Sequence, residues 1–147
     1  MFEVTTVTIE GKPTAIGSAG PYTLVVDRPA EAGGGGLGFN GGELLYLAVA
    51  GCISNDLFRE AKAKAIDLAR VKITVRGDFT GSPCVSTEIT YNIEVDGAAT
   101  PEQLRDLVQH VDRIAEIPNS LRLGTAVRVG EVQVGSRRAR ESNVVGE

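Results

Sequence analysis

The stretch Gly38-Phe39-Asn40-Gly41-Gly42-Glu43-Leu44-Leu45-Tyr46-Leu47-Ala48-Val49-Ala50-Gly51-Cys52 decides how this chain of 147 residues is read. Glycines lead in, an apolar run follows, and one of the two cysteines arrives along it. Asn40 carries a side-chain oxygen suited to a helix N-cap, and Glu43 stands three residues on, at capping-box spacing. The pattern predicts a long helix over roughly 41–66. Leu44 to Ile53 is apolar on nearly every side, as in a helix covered on several faces. From Asn55 onward, Asp56, Arg59, Glu60, Lys62 and Lys64 restore a polar face, while Leu57, Phe58, Ala61 and Ala65 keep an apolar one. The first half is therefore expected deep in a core and the second half nearer the surface.

Toward the N-terminus, Pro29, the run Gly33-Gly34-Gly35-Gly36, and Gly38, Gly41 and Gly42 make residues 28–42 a loop. Such a loop can take backbone shapes closed to other residues. A glycine-rich loop ahead of a helix also invites a phosphate-binding reading. Here there is no Gly-Lys-Ser/Thr ending and no GxGxxG set tightly between strand and helix, so that reading is set aside. Three strands are expected before the loop: 2–10, Thr14–Gly17 after the Gly11-Lys12-Pro13 turn, and Pro21–Asp27. They would form a meander.

Beyond the helix, Val71–Phe79 alternates between apolar and polar residues and reads as a strand. Gly81-Ser82-Pro83 is a turn, and Cys84–Val95 follows as one long strand, with Val85, Ile89, Tyr91, Ile93 and Val95 on one parity. Thr100-Pro101-Glu102-Gln103 is a second helix start: Thr100 caps, Pro101 takes the first helical position and Gln103 closes the box. Leu104, Leu107, Val108, Val111 and Ile114 mark one face of that helix, which Pro118 interrupts. A final strand is expected over Thr125–Val134, with 136–147 a disordered tail. The order is βββ–α–ββ–α–β, an α+β fold with one domain over 1–135.

A hydrophobic share of 42% and a charged share of 23% are those of an ordinary water-soluble globular chain. A net charge of −4 argues against a nucleic-acid surface, and Arg137-Arg138-Ala139-Arg140 reads as a solvated end. No apolar run is long enough to span a bilayer, so no membrane partner is expected. The opening Met1-Phe2-Glu3-Val4-Thr5-Thr6-Val7 alternates like a strand and lacks the pattern of a signal peptide. A cytoplasmic location with reduced thiols is therefore expected. Cys52 and Cys84 match no zinc pattern, and the lone His110 leaves little material for a metal site. No metal or cofactor is expected.

These residues resemble a known family. Glu43 through Cys52 resembles the helix motif of the osmotically inducible protein C and organic hydroperoxide resistance family (OsmC/Ohr). So do Leu24-Val25-Val26-Asp27 with its glycine-rich sequel, the helix after Thr100-Pro101-Glu102-Gln103, and Asn119-Ser120-Leu121-Arg122-Leu123-Gly124-Thr125. The resemblance implies an OsmC-like fold, with β-sheets wrapped around long central helices in an intertwined homodimer. It also implies thiol-dependent reduction of organic hydroperoxides. The helix cysteine, here Cys52, would become a sulfenic acid, with an Arg and a Glu holding its thiolate and a second cysteine resolving it.

The resolving cysteine would fall at about Ala115, and residues 100–147 contain no cysteine. Cys84 is the sole candidate substitute. In peroxidase members the glutamate lies ten residues before the cysteine, where this chain has Gly42; Glu43, nine before, matches the less-characterised branch. Arg28 is the one arginine ahead of the helix. Two readings stand for Glu43, thiolate holder or helix cap, and two for Cys52, reactive thiol or small buried apolar residue. Two functions follow: a one-cysteine hydroperoxide reductase served by an external thiol, or a non-catalytic dimer binding a small hydrophobic ligand.

Overall fold

A computed structural model describes residues 1–135. The N-terminal meander forms as expected in order, from β1 (Thr5–Thr8), β2 (Ala15–Ala19) and β3 (Tyr22–Val26). Its strands pair antiparallel in the order β1-β2-β3. The first strand is shorter than the alternation suggested. A single bridge, Val26 to Phe39, then ties the end of β3 to the approach of the long helix.

The glycine loop between them is packed on the chain's own backbone. A Cβ at Gly34 would stand 2.0 Å from the Arg28 carbonyl oxygen, and one at Gly38 would stand 2.2 Å from that of Val25. Buried Asp27 organises the same loop. Its carboxylate accepts from the Thr14 hydroxyl at 2.9 Å and from the main-chain N–H groups of Arg28, Gly35 and Leu37. Burial alone would push this carboxyl up, but those four donors outweigh it and hold it below the usual range. The depressed value means Asp27 contributes stability above the ordinary carboxylate pKa near 3.8, and that contribution is lost as pH falls through the lower folded value. Asp27→Asn is expected to destabilise the protein at pH 7 and to flatten its acid dependence below about pH 4. Acid titrations of both proteins, followed by circular dichroism, check this.

Helix α1 (Gly41–Ala63) begins with both halves of the capping box in place between Asn40 and Glu43. It buries Val49, Ile53, Leu57 and Ala61, a stripe repeating every four residues. That stripe packs on β4 (Leu68–Arg76) and on α2 (Pro101–Ile114), forming one core with Leu68, Leu107, Val111 and Ala115. The expected depth gradient is reversed. No residue from Gly41 to Ala48 is buried, and the part of α1 in the core shared with β4 and α2 begins at Val49.

Strand β4 begins three residues earlier than expected and pairs antiparallel with β7 (Thr90–Gly97), setting Val71 against Val95, Ile73 against Ile93 and Val75 against Tyr91. The single long strand over Cys84–Val95 does not form. Instead β5 (Phe79–Thr80) and β6 (Val85–Ser86) close a small hairpin. The Thr87 N–H bonds the Asp78 carbonyl and so turns the chain before β7 begins.

Helix α2 carries the expected Thr100–Gln103 box and Pro101. It ends at Ala115, whose extended backbone turns the chain into α3 (Glu116–Arg122). Pro118 therefore does not interrupt α2. It lies in the first turn of α3, where its missing N–H costs no helix bond. No strand forms over Thr125–Val134: a strand needs a ladder partner, and none is offered to this segment among the described residues. Expectations for residues 136–147 lie outside the described residues. Among the described residues no helix is long and apolar enough to cross a membrane.

Candidate functional site

Cys52 sits midway along α1, one turn beyond Val49 and beside the buried stripe, with its thiol partly exposed. Its sulfur donates toward Asp56 Oδ2 at 3.8 Å and Glu116 Oε2 at 3.7 Å. Asp56 follows four residues on, which places it on the same helix face. Glu116 comes from across the core, carried by the corner at Ala115. That corner is the place where the resemblance puts the resolving cysteine. A carboxylate now meets the thiol there.

Asp56 is buried, and its other oxygen meets Arg59 Nη1 at 2.6 Å. Arg59 also reaches Glu60, and Glu60 in turn holds His110 Nε2 at 3.0 Å. One guanidinium thus serves two carboxylates. Burial pushes the Cys52 thiol up; the Ile117 N–H pulls it down, and the negative Asp56 and Glu116 push it up again, for a net rise. The donor atoms of Cys52, Asp56 and Glu116 lie within 4.8 Å of one another.

The other residues singled out by sequence lie elsewhere. Glu43 accepts from the Asn40 N–H at 2.9 Å as half of the cap. It stands about 13.5 Å from Cys52 along the helix axis, nine residues at the usual rise. At Gly42 the space a side chain would need is taken by the Phe79 ring, 2.8 Å from an added Cβ. Arg28 is exposed at the start of the glycine loop; its N–H is given to Asp27 and its carbonyl accepts from Gly36. The side chains hydrogen-bonded to the sulfur are Asp56 and Glu116 instead. Cys84 is an exposed free thiol in the turn between β5 and β6. Asp56 was legible in advance as an acid four residues after a helical cysteine; Glu116 required the fold.

Next to this site lies a cavity of about 210 Å³ lined by Val49, Ile89, Tyr91, Pro118, Leu121 and Arg122. Its walls mix apolar side chains with polar ones, among them Arg122 and Tyr91, both hydrogen-bonded to Asp112. Burial and the neighbouring Asp112 push the Tyr91 phenol up, so it remains a proton donor at neutral pH.

Residues 33–130 match the family model of the OsmC-like proteins. The chain belongs to the OsmC-like family. Solved structures agree on the fold. An OsmC-like protein from Mycoplasma pneumoniae superposes with a TM-score of 0.73 at 19% identity, over 83% of this chain and 87% of that one. A hypothetical protein from Aquifex aeolicus gives 0.70 at 17% identity, over 85% and 89%. An organic hydroperoxide resistance protein from Legionella pneumophila gives 0.63 at 18% identity, over 83% and 89%. At these identities the likeness is one of fold. No curated protein matches by sequence. The α+β architecture, with a long helix and antiparallel sheets, is thus the OsmC-like one.

Proposed function

We propose that this OsmC-like protein reduces organic hydroperoxides through Cys52, without an intramolecular resolving cysteine. The observation that carries this reading is the placement of a partly exposed thiol on the family's helix motif, facing the Glu116 and Ile117 N–H groups. The Cys52 thiolate attacks one peroxide oxygen, the O–O bond breaks, and the alkoxide leaves as an alcohol after taking a proton. The sulfur is oxidised to a sulfenic acid. An external thiol then condenses with it, releasing water, and a second thiol reduces the mixed disulfide.

Organic hydroperoxide resistance proteins among the structural neighbours support the choice of substrate class. Cumene hydroperoxide should form sulfenic acid at Cys52 in wild type and in Cys84→Ser but not in Cys52→Ser, as read by trapping and mass spectrometry. A thiol pushed up is a smaller thiolate fraction at neutral pH, so the rate should still be climbing at pH 9. A Cys52 no faster than a free thiol of pKa about 8.5 overturns the reading. A Cys52–Cys84 disulfide would instead make Cys84 the resolver.

A second reading has its own support. The cavity beside α1, walled by Val49, Ile89, Pro118 and Leu121 with a few polar groups, suits a small hydrophobic ligand, with Cys52 merely nearby.

We also propose that the working form is a homodimer. Val127, Val129, Val132 and Val134 are exposed in the segment after α3, and Leu47 and Phe58 are exposed on α1. An apolar groove of about 260 Å³, lined by Val4, Tyr22, Leu24, Val26 and Leu44, lies open on the meander. A second copy would cover these surfaces.

A further inference from the structure

We propose that Asp56 and Glu116 set the charge class of what reacts at Cys52: neutral and cationic reactants are admitted, and anionic ones are held off. The inference rests on Cys52 being a reactive thiol, but not on hydroperoxide being what it reacts with.

Both carboxylates lie within 3.8 Å of the sulfur, so any reagent close enough to attack or be attacked is also close to them. Asp56 is buried, where water screens its charge poorly. Compensation is incomplete. Among the described residues, Asp56 and Glu60 share the single guanidinium of Arg59, His110 lies on the Glu60 side, and no side-chain cation is hydrogen-bonded to Glu116. Among the described residues Asp56, Glu60 and Glu116 thus stand against Arg59, which makes the surroundings of the sulfur negative. The backbone N–H groups of Glu116 and Ile117 stabilise charge on the sulfur itself, which is a different location from that of the incoming group.

The consequence falls most heavily on the second half of the cycle. A sulfenic acid at Cys52 needs an external thiol, because no cysteine stands at the Ala115 corner. That thiol forms the S–S bond as the sulfenic oxygen departs as water. A thiol flanked by carboxylates would meet Glu116 on approach, whereas a neutral thiol or an aminothiol would not be opposed.

Methanethiosulfonates of one size and three charges test this on full-length Cys84→Ser protein. Each forms a mixed disulfide with Cys52 and releases methanesulfinate, while the thiol proton goes to solvent. Rates for trimethylammonioethyl, hydroxyethyl and sulfonatoethyl reagents are read by intact mass and normalised to those for 2-mercaptoethanol. The thiolate fraction cancels in the ratio, so the ratio reports the local field alone. The cationic reagent should be favoured over the anionic one by about tenfold or more, as expected when a site's own charges steer association. The preference should shrink severalfold in Glu116→Gln, whose exposed position makes misfolding an unneeded explanation. Asp56→Asn, checked for folding by circular dichroism, should shrink it further. A normalised ratio near one, a ratio unchanged in Glu116→Gln, or no modification of Cys52 by any reagent overturns the proposal. Charge selection at a Cys52 that hydroperoxides leave unoxidised would instead sink the peroxidase reading and leave this one standing.

Discussion

Leu57→Ala should lower the unfolding free energy by about 2–5 kcal/mol. Leu57 is completely buried at the centre of the α1 stripe, between Ile53 and Ala61, and packs in the same core as Leu107 and Val111. Removing three carbons there takes away their transfer energy and leaves a hole that two helices and a sheet cannot easily close. The neighbouring Phe58 is the internal comparison. It is larger, yet 48% exposed in the single chain, so truncation should cost the isolated chain far less. Urea titrations of the two variants should show a large fall in midpoint for Leu57→Ala. A loss for Phe58→Ala that grows with protein concentration would place its ring under a second copy.

The parts of this fold governed by local rules were legible in sequence. The caps at Asn40 and Thr100 each satisfy N–H groups within three residues, so their signal is complete in four letters. Pairing is different, because it depends on what lies alongside. The alternation from Val85 to Val95 is continuous, yet the Asp78 carbonyl captures the Thr87 N–H and divides the run into β6 and β7. The segment 125–134 also alternates, with one slip of parity between Val129 and Val132, and forms no strand, because alternation names a face and not a partner. Pro118 was misread for a related reason: whether a proline breaks a helix or opens one depends on where the helix begins, and here Ala115 decides that.

The candidate site divides along the same line. Cys52 and the helix that bears it were visible, and so in principle was Asp56, one turn on. Glu116 is 64 residues from Cys52 and reaches it only because α3 folds back against α1. Of the two residues chosen by resemblance, the Glu43 side chain is held by a local bond at the helix start, and the Arg28 main chain by one in the glycine loop. Their proposed part in holding a thiolate would need contacts beyond those bonds.

Replacing Val127 and Val129 together with Lys should convert the protein from dimer to monomer. These two valines are 94% and 86% exposed in the single chain. A valine pair of this kind gains only when another surface covers it, and the meander's open groove and the bare first turns of α1 are apolar surfaces of matching kind. Two lysines would place charges in that interface, at a desolvation cost that an apolar groove cannot offset. Sedimentation equilibrium should give twice the chain mass for wild type and the chain mass for the double variant, with the circular dichroism of the α1 core retained. A monomeric wild type at micromolar concentration would end the homodimer proposal. A variant that stays dimeric would move the interface away from the 125–134 segment and onto the exposed early turns of α1.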